Sequence, residues 1–204
     1  MKTNKKALLT VLCALLLVVA SVMGTMAYLT ATDTVTNTFT VGNVTMTMDE
    51  ANVDGNGKKI AEGQEGAGRG DANSYKLYPG ATYDKDPTLH VKGDASWLII
   101  AVKNPLAGFE AATNKIADQI TTKGWNALTV TKPVEGYTMY YKAFDGATTL
   151  TDVGVFDTVT IADNAQSVEG WADLNNQQII VQAYAIQKDG FATAAAAWDA
   201  TFGK

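Results

Sequence analysis

The sequence predicts an all-β fold, an antiparallel β-sandwich of jelly-roll type with two short helices, preceded by a signal peptide. Three observations support this prediction. Apolar and polar residues alternate with a period of two in several segments, as in strands with one buried face. Clusters of glycine, proline, asparagine and aspartate separate those segments, as turns require. One segment, residues 97–102, is apolar at both parities, which predicts a central strand covered on both faces.

The first 27 residues have the three-part layout of a secretory signal peptide. Lys2, Lys5 and Lys6 precede an apolar run over residues 7–22, which is shorter than the roughly 20 residues that a membrane-spanning helix needs. The small residues that follow the apolar run end at Ala27, and the aromatic Tyr28 comes next, so we place the cleavage between Ala27 and Tyr28. We therefore expect an exported chain whose only contact with the membrane is through the uncleaved signal.

An extended segment follows the cleavage site directly. Threonine occupies every even position over residues 30–40, which is typical of a strand that presents two different faces. We expect the odd-numbered face of this strand to make its packing contacts. The residues of this face that we single out are Val35, Asn37, Phe39 and Val41. Gly42 and Asn43 then break the register, and apolar residues continue on the other parity from Val44. A shift of one residue exchanges the faces of a strand, so we predict two strand segments joined by a bulge or bend at Gly42.

The remaining elements follow from local patterns. Residues 49–73 are rich in glycine and poor in large apolar residues, which predicts a solvated loop. Apolar residues at helical spacing predict one helix over about residues 108–121 and a second towards the C-terminus, with Phe191, Ala195, Trp198 and Phe202 on one face. Asp145-Gly146 is a hairpin turn signal. The other predicted strands begin at Tyr75 and Trp125 or cover residues 88–91, 97–102, 137–143, 153–161 and 178–186.

Composition limits the possible functions. The signal contains three of the 16 basic residues and none of the 21 acidic ones, so the remaining 177 residues carry 13 basic and 21 acidic side chains, a net charge of −8. Such an acidic chain is poorly suited to nucleic acid, because phosphate contacts need clustered Lys and Arg. The single cysteine, Cys13, lies inside the signal. The exported domain, predicted as one domain over residues 28–204, therefore cannot form disulfides.

No catalytic, cofactor or metal site is predicted, and we expect the protein not to be an enzyme. A zinc protease helix needs two histidines, whereas His90 is the only histidine and lies in a predicted strand, where an outward-facing polar role is the better interpretation. The Asn52-x-Asp54-x-Asn56-Gly57 segment resembles half a calcium loop but lacks the glutamate at its end, so a turn is favoured. Arg69-Gly70-Asp71 copies an integrin-recognition tripeptide, and matches of three residues are frequent by chance.

Three features together resemble one family. They are the signal end at residues 24–28 leading into residues 39–44, the Leu77-Tyr78-Pro79-Gly80 turn with the polar strand after it, and the buried strand from Trp97. This arrangement resembles the TasA/camelysin family of exported biofilm-matrix proteins, whose signals are cut by a SipW-type signal peptidase of Gram-positive bacteria. The resemblance implies a jelly-roll protein at the cell surface or in the extracellular matrix. It also implies fibres in which the mature N-terminus, here Tyr28 to about Phe39, inserts as a donor strand into the neighbouring subunit.

The expected function is therefore that of a secreted structural subunit of extracellular fibres. Its expected partners are copies of itself, the signal peptidase during export and other matrix proteins. The alternative is a monomeric secreted β-sandwich that binds a surface glycan or a host ligand. Pairing of the N-terminal strand within its own domain also stays open, because the same hydrogen bonds and burial would stabilise it there.

Overall fold

The computed structural model describes residues 43–203, which form ten antiparallel β-strands, two α-helices and two 3₁₀ turns. The predicted all-β sandwich with two short helices is confirmed. The strands are β1 (Val44–Ala51), β2 (Arg69–Gly70), β3 (Thr82–Asp84), β4 (Thr88–Gly93), β5 (Ser96–Lys103), β6 (Asn126–Ala127), β7 (Thr138–Phe144), β8 (Ala147–Gly154), β9 (Thr158–Thr160) and β10 (Ile180–Gln187). The helices are α1 (Ile116–Thr122) and α2 (Ala194–Phe202), and the 3₁₀ turns are Ala165–Ser167 and Trp171–Leu174.

Two four-stranded sheets form the layers of the sandwich. The first sheet has the order β2-β1-β4-β8 and the second has the order β10-β5-β7-β6, while β3 and β9 form a separate short pair. The chain passes from the first sheet to the second between β4 and β5, returns between β7 and β8, and crosses again before β10. These crossings between the two sheets give the arrangement its jelly-roll character.

The central strand β5 pairs with β10 on one edge and with β7 on the other. Leu98 and Ile100 are buried in the main core between the sheets, whereas Ile99 and Ala101 are buried on the opposite face. Both faces of β5 are therefore covered, as the apolar run over residues 97–102 predicts. The main core also contains Leu89 and the other apolar side chains that β4 directs inwards.

The second core lies between the outer face of the second sheet and α2. Trp198 of α2 is 3% exposed and packs edge-on against Tyr184 of β10, with their ring centroids 5.0 Å apart. The Thr193 side chain caps this helix by accepting a hydrogen bond from the Ala196 N–H at 3.1 Å. The predicted C-terminal helix is confirmed, but its predicted face is only partly correct. The helix begins at Ala194, so Phe191 precedes it, and its buried residues are Ala194, Ala197 and Trp198.

The predicted helix over residues 108–121 is wrong in its first half. The backbone of Glu110 forms a β-bridge with Ile161, and the helix begins only at Ile116. The buried Glu110 carboxylate accepts a hydrogen bond from the Ile116 N–H at 3.0 Å, so it caps α1 from outside the helix. Burial raises the pKa of this carboxyl group. Periodicity missed this arrangement because Phe109 reaches the core from a turn.

The predicted hairpin at Asp145-Gly146 is also wrong. These residues join β7 to β8, but the two strands belong to different sheets and do not pair with each other. The turn itself was predicted correctly, but the pairing of the strands on either side of it was not, because a tight turn can also connect strands of two stacked sheets. The strand predicted over residues 153–161 is likewise divided, since β8 ends at Gly154 and β9 begins at Thr158.

Three further boundaries differ from the predictions. Residues 75–81 form turns and irregular backbone instead of a strand, because the Tyr83 hydroxyl engages their backbone: it donates to the Lys76 carbonyl and accepts from the Tyr78 N–H. The strand predicted from Trp125 is reduced to β6. The loop predicted over residues 49–73 includes the end of β1 and all of β2. None of the described helices is long and apolar enough to span a bilayer.

We expect Ile100→Ala to destabilise the fold by about 2–5 kcal/mol, because it leaves a cavity where a fully buried side chain packs. Urea unfolding followed by circular dichroism measures this change. Leu150→Ala is the matched control, since Leu150 is 59% exposed on β8 and its removal is expected to change stability by less than about 0.5 kcal/mol. Equal losses in both variants would contradict the assignment of β5 to the core.

Candidate functional site

Two strand edges lie open on the same side of the sandwich. β1 pairs with β4 over Val44–Asp49, and β2 joins its other edge only at Glu50 and Ala51. β10 pairs with β5 along its whole length, and no other strand of the described region pairs with its second edge. β1 and β10 are neighbours in space. Their unpaired N–H and C=O groups can therefore pair with an added strand.

The main core is incompletely covered along these two strands. Inward-facing side chains of β1 and β10 pack against the core but stay partly exposed, whereas those of β4 and β5 are buried. We call this stretch the β1–β10 groove. Its partly buried apolar residues are Val44, Met46 and Met48 of β1, and Val181, Ala183 and Ala185 of β10. An apolar strand laid in the groove would remove this surface from water.

A cavity of about 910 Å³ opens at one end of the β1–β10 groove. Its apolar wall includes Met48, Leu77 and Val181, and its polar wall carries amide side chains from residues 175–178. Tyr75 lines it as well and donates a hydrogen bond from its hydroxyl to the Asp84 carbonyl at 2.9 Å. Burial raises the pKa of the Tyr75 phenol, so this hydroxyl stays protonated.

A charged network ties β1 to its neighbours on the outer face of the first sheet. His90 of β4 lies between Asp49 of β1, with Nε2 3.0 Å from Oδ1, and Asp152 of β8, with Nδ1 2.6 Å from Oδ1. Arg69 of β2 pairs with Asp49 and, at 3.0 Å, with Asp86. Contacts from Asp49 and then Asp152 raise the pKa of His90. The predicted outward-facing role of His90 is confirmed, since Leu89 and Val91 beside it are buried.

The two short motifs have structural roles. Arg69 of the Arg-Gly-Asp tripeptide is engaged by two carboxylates and is not free to bind a receptor. Asp54 of the calcium-like segment accepts hydrogen bonds from the Asn56 and Lys58 N–H groups at 2.8 and 2.9 Å, which is the geometry of a turn. Over residues 43–203, no group of three or more His, Cys, Asp or Glu side chains is placed to hold a metal ion.

The sequence-predicted site residues lie outside the part of the chain that the structure describes. This applies to the cleavage residues Ala27 and Tyr28 and to the donor-strand residues Val35, Asn37, Phe39 and Val41. Sequence reasoning missed the β1–β10 groove that could receive them. The small residues Ala183 and Ala185, alternating within an otherwise large-residue strand, were the one available signal.

Comparison of the chain with protein-family models, with curated proteins and with solved structures finds no match in any of the three. The interpretation of the groove therefore depends on its own geometry and on the sequence.

We expect the His90 contacts to make stability fall as pH rises. The pKa of His90 is raised above its ordinary 6.5, so the native state binds the proton more tightly than the unfolded state. This stabilisation is complete below pH 6.5 and is lost as pH rises through the raised pKa. Chemical unfolding between about pH 5 and 9 should show wild type losing stability relative to His90→Gln. Lys92→Gln, on the same face of β4, is the control, and a pH-independent difference for His90→Gln would contradict the prediction.

Proposed function

We propose that the protein is a secreted structural subunit of extracellular fibres in a biofilm matrix. Residues 28–41 of one copy would fill the β1–β10 groove of the next copy, so that subunits join head to tail. The observation that carries the proposal is the groove, in which two open strand edges border partly exposed core side chains. Addition of a strand to an open sheet edge is a known mode of recognition.

The segment is more than long enough to span the open edge of β1, and its residue pattern suits the groove. Residues 28–41 would extend over about 46 Å at roughly 3.3 Å per residue, and the open edge of β1 over Val44–Asp49 covers about 20 Å. The odd-numbered residues Val35, Phe39 and Val41 would face the core, and the threonines would face outwards. β1 also presents Thr45 and Thr47 on its outer face, and threonine pairs across strands are favourable.

Magnitudes show which residues matter. About ten ladder hydrogen bonds at ~1 kcal/mol each are roughly offset by ordering about twelve residues at ~1–2 kcal/mol each. Burial of Val35, Phe39 and Val41 at about 1.5–3 kcal/mol each then decides the balance. Cleavage before Tyr28 is part of the mechanism, since an uncleaved signal would keep the strand at the membrane. The resemblance to the TasA/camelysin family supports the same assembly.

A second candidate function is glycan binding by the monomer. It is favoured by the polar wall of the cavity, where Asn175, Gln177 and Gln178 lie near Trp171. Few well-placed polar groups beside an aromatic wall are typical of small-molecule sites. Binding to a glycan array by protein that begins after Val41 would favour this alternative over strand donation.

We expect Phe39→Ala to reduce fibre formation more than Thr34→Ala does, because only the first removes a buried contact from the donated strand. Mature proteins beginning at Tyr28 are examined by negative-stain electron microscopy and sedimentation. Protein that begins after Val41 is the control without a donor strand and should form no fibres. Normal filaments from this truncated protein would refute the proposal.

We also expect a cysteine pair to report the donation between subunits. The exported region has no cysteine, so Phe39→Cys and Ala183→Cys each introduce a unique thiol. Mixing the two single variants under mild oxidation should give a disulfide-linked heterodimer on non-reducing gels. Leu150→Cys, which is exposed on β8 at the opposite edge of the first sheet, replaces Ala183→Cys in the control mixture. A crosslink that forms only within a chain carrying both cysteines would show that the strand closes its own groove.

A further inference from the structure

A buried glutamate meets a partly buried lysine and a partly buried asparagine where β1 ends. The Glu50 side chain is among the few buried charged groups of the described region, with the residue 4% exposed. Its Oε2 accepts a hydrogen bond from Lys85 Nζ at 2.5 Å, and its Oε1 accepts one from Asn73 Nδ2 at 3.0 Å. One carboxylate therefore holds an amine and a carboxamide side by side.

The surroundings hold this cluster in a fixed arrangement. The Lys85 side chain is 13% exposed and its Nζ lies 5.8 Å from the centroid of the Tyr75 ring. The Asn73 amide is fully engaged, since Nδ2 also donates to the Ala51 carbonyl at 2.8 Å and Oδ1 accepts from the Val53 N–H at 3.1 Å. A buried ion pair contributes little net stability, because the cost of removing both charges from water offsets their attraction. Stability alone therefore does not explain the arrangement.

We propose that Lys85 and Asn73 form an intramolecular amide bond, with Glu50 as the catalytic acid and base. The Lys85 Nζ gives a proton to Glu50 and attacks Asn73 Cγ. A bond forms between Nζ and Cγ, and the bond between Cγ and Nδ2 breaks. Glu50 carries two protons in turn from Nζ to Nδ2, so the nitrogen leaves as ammonium and the carboxylate is regenerated. The reaction needs no oxidant, reductant or second substrate.

The hydrogen bonds supply a proton carrier and an oxyanion donor for acyl transfer. The nucleophile and the leaving group both contact the proton carrier, as general acid–base catalysis demands. The Val53 N–H already donates to Asn73 Oδ1, the atom on which negative charge develops when Nζ adds. The ladder pairing of β1 and the second hydrogen bond from Asn73 Nδ2 hold these groups in place before reaction, which favours attack by proximity.

The bond would fasten the chain where the β1–β10 groove meets its cavity. Asn73 follows β2, Lys85 lies between β3 and β4, and both residues line the cavity. The amide would close the loop between them and restrict the unfolded chain, as other covalent links do. It is insensitive to reduction, which suits an exported region without cysteine. The inference does not depend on fibre formation and can be tested on protein beginning after Val41.

Mass spectrometry tests the proposal directly. We expect the folded protein to be lighter than its sequence by one ammonia, about 17 Da. Trypsin should release residues 70–76 and 77–92 as one branched peptide, because the modified Lys85 resists cleavage while Lys76 is cut. Lys85→Arg keeps the charge beside Glu50 but removes the amine, so this variant should have the mass of its sequence. Lys58→Arg, at an exposed ion pair with Asp84, is the control and should keep the loss.

Two results would overturn the proposal. The first is a wild-type mass equal to that of the sequence after prolonged incubation of the folded protein. The second is persistence of the ammonia loss in Lys85→Arg, which would indicate succinimide formation at an asparagine such as Asn56 instead. Glu50→Gln provides a further test, since it should abolish the bond, and circular dichroism shows whether this variant and Lys85→Arg remain folded.

Discussion

The two open edges of β1 and β10 are the constraint on which the rest of the structure depends. A β-sandwich buries its core only as far as its sheets extend, and here both sheets end on the same side. Inward-facing residues such as Met46 and Ala183 are partly exposed in consequence, while Leu89 and Ile100 are sealed by neighbouring strands. Natural sheets usually protect such edges. A groove bordered by unpaired backbone and apolar side chains is therefore a surface that another strand would stabilise.

β1 is held by its ladder with β4, and charged side chains add contacts to it on the outer face. Asp49 connects it to β2 through Arg69 and to β4 through His90, and Asp152 extends the chain of contacts to β8. Both ring nitrogens of His90 face carboxylate oxygens, and only the protonated ring can donate to both. These contacts lie on the outer face, so they leave the inner face of β1 available to the groove.

The sequence predicts those elements whose side chains report burial directly. β5 was identified because residues 97–102 are apolar at both parities, and β7 because alternation continues from Tyr137 to Ala143. The failures occur where distant contacts override local pattern. Glu110 forms an isolated bridge with Ile161 instead of a helical turn, and Asp145-Gly146 connects two sheets. The groove and the Glu50 cluster could not be predicted, since each depends on residues brought together from separate parts of the chain.

The position of the Glu50 cluster would connect the proposed assembly with the proposed amide bond. In a strand-donated fibre, force on the donor strand would pass through ladder hydrogen bonds to β1, whose far end carries Glu50. At that end, β1 is joined to short loops and to the two-residue β2 by non-covalent contacts, which a pulling force would separate easily. An amide between Asn73 and Lys85 would convert the loop beside the groove into a closed ring. Stability would then come from a restricted chain as well as from a core that is open along one side.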